Sequence, residues 1–265
     1  MQAATMTEEE YNALPGYRST AFKEIFEYGL YDYIIPAPRK ERQAFTFGNL
    51  LHTMVLEPGE FDKRYAPMFE SDLNKNSTKY KELKNEFEQE NAAKIIVSHE
   101  DYEKASTMRD VVMMRYGHIV EASKREIVFQ YVTEDGIKMK VKIDCMNEQH
   151  GLIFDLKSTS DELNRNNVQW NCQKYNYDLQ AAFYESVAKG AGVDVRQFAF
   201  LFSTQYDYRA LMYKADGFFM ERGRSKYGEV YEKVLAYHEK GMAAVSDAVI
   251  ELSVPSKILD KAMGY

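Results

Sequence analysis

The stretch from Glu126 to Lys157 constrains the fold most, because apolar and polar residues there alternate with a period of two, following a first third of helical pattern. IVFQYV, IKMKVKIDC and LIFDLK read as three strands. Glu134-Asp135-Gly136 is a hairpin signal between the first two, since glycine supplies the positive φ that a tight turn requires, and Asn147 to Gly151 is turn-like as well. Both connections are too short for a crossover, so an antiparallel three-strand meander is predicted.

The rest of the chain surrounds this meander with helices. Ser19 and Thr20 are N-cap candidates for AFKEIFEYG, where Phe22, Ile25 and Phe26 share a face and Gly29 is the stop. A second helix is predicted from Phe47 to Leu56, ended by Pro58 and Gly59. Ser71 to Asn91 is dense in charge and poor in aliphatics, as in a solvated helix or loop. Helical spacing returns over His99 to Tyr116 and over one long aromatic-rich segment, Val168 to Lys189. Gln197 to Gln205 and Tyr208 to Tyr213 read as further strands, and Phe218 to Lys240 as a closing helix. The order predicts an α/β fold with one central mixed sheet flanked by helices. It forms one domain: a mainly helical part over 1–125, a core over 126–240 and a tail over 241–265.

Composition narrows the function classes. With 265 residues, 45% hydrophobic and 14% aromatic, the chain has material for a substantial core. The apolar residues are dispersed, and the start, MQAATMTEEEY, lacks the layout of a signal peptide, so a soluble cytoplasmic protein with no membrane partner is expected. Two cysteines, Cys145 and Cys172, cannot by themselves build a disulfide scaffold, a closed zinc site or an iron–sulfur cluster. A net charge of −7 argues against a protein that coats nucleic acid through overall positive charge, so binding a polyanion requires a local basic patch. No Gly-x-Ser-x-Gly elbow and no phosphate-binding P-loop occur.

The chemistry-bearing residues lie in the meander. In IKMKVKIDC, Met139, Val141, Ile143 and Cys145 alternate with Lys138, Lys140, Lys142 and Asp144, so one face is apolar and the other ends three lysines with an acid. In GLIFDLKST, Asp155 and Lys157 share a face, and the short turn brings Asp144 within reach of Asp155 across the ladder. Two facing carboxylates repel unless a divalent cation lies between them, and hard oxygen ligands suit Mg²⁺ or Mn²⁺. A lysine beside such a cation can orient a water and stabilise charge on a phosphate, the parts of a phosphodiester hydrolysis. The same residues also fit plain edge-strand ion pairing of Lys157 with an acid, and spacing alone leaves both readings open.

Three motifs in order carry a resemblance. Asp144, followed eleven residues later by Asp155-Leu156-Lys157, resembles the D…(D/E)-x-K signature of the PDDEXK nuclease superfamily, with aspartate as the second acid. FGNLLHTMVLEP resembles its Gly-x-x-x-His helix, and YDLQAAFY its Gln-x-x-x-Tyr helix. With RSTAFKEI near the start, these segments resemble the RecE-type, exonuclease VIII group, relatives of the RecB nuclease domain and of lambda exonuclease, of phage or prophage type. The resemblance runs from about Tyr11 to Glu239.

It implies a Mg²⁺-dependent exodeoxyribonuclease in which His52, Asp144, Asp155 and the Leu156 carbonyl hold metal and Lys157 is the catalytic lysine. Gln180 and Tyr184 would position DNA or the lysine. It further implies double-stranded ends as substrate, a homo-oligomer, and a single-strand annealing protein as partner in recombination, in a bacterial host cell. By residue type alone, His52 among Leu50, Leu51, Met54 and Val55 is either a core histidine or a ligand, Glu57 is a helix-ending acid, and capping explains Ser19 as well as a phosphate contact does.

Overall fold

The computed structural model describes residues 4–36 and 47–245. The elements in chain order are β1 (Ala4–Thr5), α1 (Glu8–Ala13), α2 (Ser19–Tyr28), α3 (Leu30–Ile34), α4 (Phe47–Leu56), α5 (Phe61–Arg64), β2 (Tyr65–Pro67), α6 (Thr78–Glu90), β3 (Ile95–Val97) and α7 (His99–Glu121). They continue with β4 (Lys124–Val132), β5 (Lys138–Asn147), β6 (Leu152–Thr159), α8 (Arg165–Lys174), α9 (Tyr177–Gly190), β7 (Gln197–Thr204), β8 (Ala210–Lys214) and α10 (Gly217–Lys240). The expected tail begins with a short 3₁₀ turn, Gly241–Ala244, and from residue 246 it lies outside the described residues.

One six-stranded sheet, in the order β1-β4-β5-β6-β7-β8, organises the domain, and β2 and β3 form a separate parallel pair. The meander β4-β5-β6 is antiparallel, β6 and β7 are parallel, and β8 returns antiparallel, so the sheet is mixed. The parallel step requires a crossover, and α8 and α9 supply it. One face of the sheet buries Ile153, Phe198, Phe200 and Phe202 against α2, α9 and α10. The other buries Phe154, Leu156, Ala199 and Leu201 against α4 and α7.

Three local departures from the sequence expectations matter for the site. The segment expected as one helix over Val168–Lys189 is two, because Asn176 takes a left-handed conformation (φ 50°), which asparagine tolerates better than most residues. The break starts α9 in a new direction. Second, α2 begins at Ser19 with Arg18 at the N-cap and no side-chain cap, so Ser19 is the first helical residue and its hydroxyl is free of capping. Third, the alternation of β5 slips at Asp144: Met139, Val141 and Ile143 pack into the core under α9, whereas Cys145 packs into the core under α4. Opposite the slip, Glu126 has φ 52°, unusual for a residue with a side chain. Among the lysines expected on the polar face, Lys140 is buried and donates to the Tyr11, Asn12 and Leu14 carbonyls at 2.9, 3.2 and 2.6 Å, which ends α1.

Candidate metal centre and active site

The slip in β5 coincides with a fork in the sheet. β5 and β6 pair only from Cys145–Phe154 to Asn147–Leu152, so the ladder stops one step short of Asp144 and Asp155. Instead of a backbone carbonyl, the Asp144 side chain receives the Leu156 N–H at Oδ2 (2.9 Å). The Leu156 main chain thus meets Asp144 through its amide, whereas the sequence reading drew on its carbonyl.

His52 enters the fork from α4. Leu51, Val55 and Leu56 anchor that helix to the sheet, and the imidazole is left pointing along it, with Nε2 at 3.0 Å from Asp144 Oδ2 and 3.5 Å from Glu126 Oε1. Glu126 is a residue the sequence reading passed over. Its neighbours pair as Arg125–Cys145 and Ile127–Ile143, which sets Glu126 across from Asp144. The ligand atoms of His52, Glu126 and Asp144 all lie within 4.8 Å of one another. The signal that finds Glu126 was present: it lies nine residues before the Asp135 turn and Asp144 nine after, so the hairpin brings the two acids together.

The electrostatics describe two buried acids held close together. Both Glu126 oxygens are buried; the Lys142 ammonium lies 3.0 Å from Oε2, and Oε1 has only the His52 ring at 3.5 Å. Burial and the nearby Asp144 carboxylate push the Glu126 carboxyl above the usual range. Burial works against the charged imidazole of His52, but Asp144 and Glu126 outweigh it and hold His52 up at about 9. Asp144 is also buried, yet the His52 charge and hydrogen bond lower it. A protonated His52 therefore lies between the two carboxylates, with the Lys142 ammonium on the outer side of Glu126. Two buried carboxylates and an imidazole nitrogen converging within 4.8 Å are a donor set that fits a divalent cation such as Mg²⁺ or Mn²⁺.

Asp155, Lys157 and Gln180 form a second group on the α9 side of the fork. Lys157 Nζ is 2.7 Å from Asp155 Oδ2, and Gln180 donates from Nε2 to Asp155 Oδ1 at 2.5 Å. The Gln180 Oε1 accepts from Lys157 Nζ at 3.3 Å, and the same ammonium lies 4.6 Å from the centre of the Tyr177 ring. Burial and Asp144 raise the Asp155 carboxyl, whereas Asp155 and Tyr177 overcome the burial of Lys157 and keep its ammonium charged. Tyr184, one turn beyond Gln180, packs edge-on against Phe198 with ring centres 6.0 Å apart and shares a hydrogen bond with Ser19. It is close enough to feel Asp155 and Asp144. Glu57 lies outside both groups, paired through both oxygens with Arg64 at 2.7 and 2.9 Å.

Of the expected residues, then, the fold gathers His52 with Asp144, and Asp155 with Lys157 and Gln180. It adds Glu126 to the first group and Lys23, which donates to Gln180 Oε1 at 3.3 Å, to the second. Cys145 and Cys172 are free and buried, with thiols raised by burial, so neither is a nucleophile.

The family model of a PDDEXK-like domain of unknown function (DUF3799) matches residues 34–246. The chain belongs to this family. Among solved structures, a protein from Eubacterium rectale described as a "Putative exonuclease" superposes with a TM-score of 0.57 at 13% identity, covering 99% of this chain and all of that one. A phage related exonuclease from Haemophilus somnus 129PT gives a TM-score of 0.38 at 14% identity over 89% of this chain and all of that one. No curated protein matches the sequence. The family's fold is the PDDEXK-like α/β arrangement expected from the motifs. No helix among the described residues is long and apolar enough to cross a membrane.

Proposed function

We propose that the protein is a divalent-metal-dependent deoxyribonuclease that works as an exonuclease on double-stranded ends. The observation that carries this reading is the convergence at the β5/β6 fork of His52, Glu126 and Asp144, within 4.8 Å of one another, with the Asp155–Lys157 pair alongside. Metal ligation is assigned to His52, Asp144 and Glu126, with Asp155 and the Leu156 carbonyl completing the set as the resemblance implies. When bound, a divalent cation polarises the scissile phosphodiester and lowers the pKa of a coordinated water.

The protein groups have separate tasks. Lys157, kept charged by Asp155, neutralises the charge that develops on the phosphoryl oxygens as the bond to the leaving oxygen breaks. Gln180 fixes the Asp155 carboxylate through Nε2 and the Lys157 ammonium through Oε1, which limits the rotamers of both. Tyr184 holds α9 against the start of α2 and acts on the site through that packing. The family fold and the name given to the Eubacterium rectale structure support nuclease chemistry. Digestion from ends, a homo-oligomer threaded by DNA and an annealing partner follow from the RecE-type resemblance.

Degradation of end-labelled linear duplex and of covalently closed circles, with Mg²⁺, Mn²⁺, Ca²⁺ or EDTA, tests the proposal. Loss of label from linear DNA alone, dependent on Mg²⁺ or Mn²⁺ and abolished in Lys157→Ala and Asp144→Ala, is expected. Cleavage of circles refutes the exonuclease mode, and no metal-dependent cleavage refutes the enzyme reading. A monomer by light scattering on DNA removes the oligomer.

A further inference from the structure

Lys23 is a cation beside the Asp155–Lys157 pair that this mechanism leaves unused. It projects from the second turn of α2, is half-buried, and donates to Gln180 Oε1 at 3.3 Å, the same oxygen and the same distance as Lys157. Both ammonium groups face the Tyr177 ring, at 5.7 and 4.6 Å from its centre. Their balance of partners differs. Lys157 has Asp155 at 2.7 Å, whereas no carboxylate lies within 4 Å of Lys23 among the described residues. One donor is enough to orient the Gln180 carbonyl, and Lys157 already supplies it. A second ammonium beside the first adds like-charge repulsion and desolvation, which Asp155 and Glu27, both beyond ion-pair distance, offset only in part.

From this arrangement we propose that Lys23 and Lys157 form a phosphate subsite, in which Lys23 takes a nonbridging oxygen of the DNA backbone phosphate next to the one cleaved. The inference rests on the nuclease reading for its ligand. It supplies the local basic patch that an acidic chain of net charge −7 requires to hold a polyanion. Two cations with one carboxylate at ion-pair distance attract an oxyanion, and a neighbouring phosphate lies within reach of a long side chain once the scissile one meets Lys157. The competing role, a strut that only keeps Gln180 in place, predicts a loss of fold stability instead of a loss of phosphate affinity.

The experiment compares wild type, Lys23→Met, Lys23→Arg and Lys157→Ala, using a labelled duplex oligonucleotide. Binding is measured in Ca²⁺ over a range of salt, cleavage in Mg²⁺, and thermal melting without DNA. Lys23→Met removes one phosphate contact, so the slope of log Kd against log salt falls by about 0.9 and KM rises. Lys23→Arg keeps the slope. Without DNA, Lys23→Met melts at or above the wild-type temperature, because a half-buried like charge is gone.

An unchanged salt slope and KM in Lys23→Met overturn the subsite, as does a lowered melting temperature with kcat alone reduced. The nuclease reading is judged separately by Lys157→Ala and by wild-type cleavage. If wild type binds DNA with a Lys23-dependent slope but does not cleave, the subsite stands and the nuclease reading falls. If wild type cleaves and Lys23→Met matches it, the reverse holds. If wild type does not bind DNA, the subsite is overturned.

Discussion

Replacing Glu126 by glutamine separates the role of this acid in the metal-free protein from its role with metal. Glu126 and Asp144 present oxygens within 4.8 Å of each other, so at an effective dielectric near ~20 they repel by about 3.5 kcal/mol or more. His52 at 3.5 Å and Lys142 at 3.0 Å offset this, but burial tips the balance and leaves the Glu126 carboxyl raised. A raised carboxyl means that the charged form is the worse one in the folded state, so a neutral side chain of the same shape is tolerated. The partners are not stranded either: Lys142 keeps Glu8 at 2.5 Å and His52 keeps Asp144 at 3.0 Å.

In EDTA, Glu126→Gln is therefore expected to melt at or above the wild-type temperature. With metal the sign reverses. Loss of an outer-shell partner costs about 10–100-fold in metal affinity, and loss of an anionic ligand costs at least that, or about 1.4–2.8 kcal/mol. Calorimetric titration with Mn²⁺ and parallel melts with EDTA and with Mn²⁺ read both effects. Wild-type Mn²⁺ affinity in Glu126→Gln refutes Glu126 as a ligand, and a fall in the EDTA melt refutes the charge argument.

Two further outcomes test the rest of the framework. His52 is held at about 9 in the metal-free fold against 6.5 unfolded, so its contribution, on the order of 3 kcal/mol, is fully present below pH 6.5 and disappears as pH rises through 9. Urea melts in EDTA between pH 6 and 10 should show wild type converging on His52→Gln at the alkaline end, and parallel curves would contradict the assignment. At the crossing of α9 and α10, a Cβ on Gly223 would lie 2.1 Å from the Asp178 carbonyl oxygen, which is backbone and cannot turn aside. Gly223→Ala should lose about 1–3 kcal/mol or more in a denaturant titration, and a neutral result would show that the two helices are not packed this closely.

How much of this was legible in the chain follows from how local each signal is. The meander was legible because strand alternation and the Asp135-Gly136 turn act over a few residues; the same hairpin sets Glu126 across from Asp144, a pairing the sequence reading did not draw. The bounds of α4 were legible for the same reason, with Pro58 and Gly59 closing it after Leu56. Asp155 and Lys157 share a face of β6 by alternation alone. The fork was not legible, since nothing in IKMKVKIDC marks the step at which β5 leaves β6 and its alternation slips. That step depends on the cores under α4 and α9 competing for the two sides of one strand. Nor was the break at Asn176 legible, because helical spacing continues across it and only packing on the sheet selects the left-handed turn. The break gives α9 the direction that sets Gln180 on Asp155. The sequence by itself thus determined which acids and which lysine lie near one another on the strands. Tertiary structure alone decided that His52 from α4, Gln180 from α9 and Lys23 from α2 meet them, because such long-range meetings are set by how helices pack on a sheet and not by any local period.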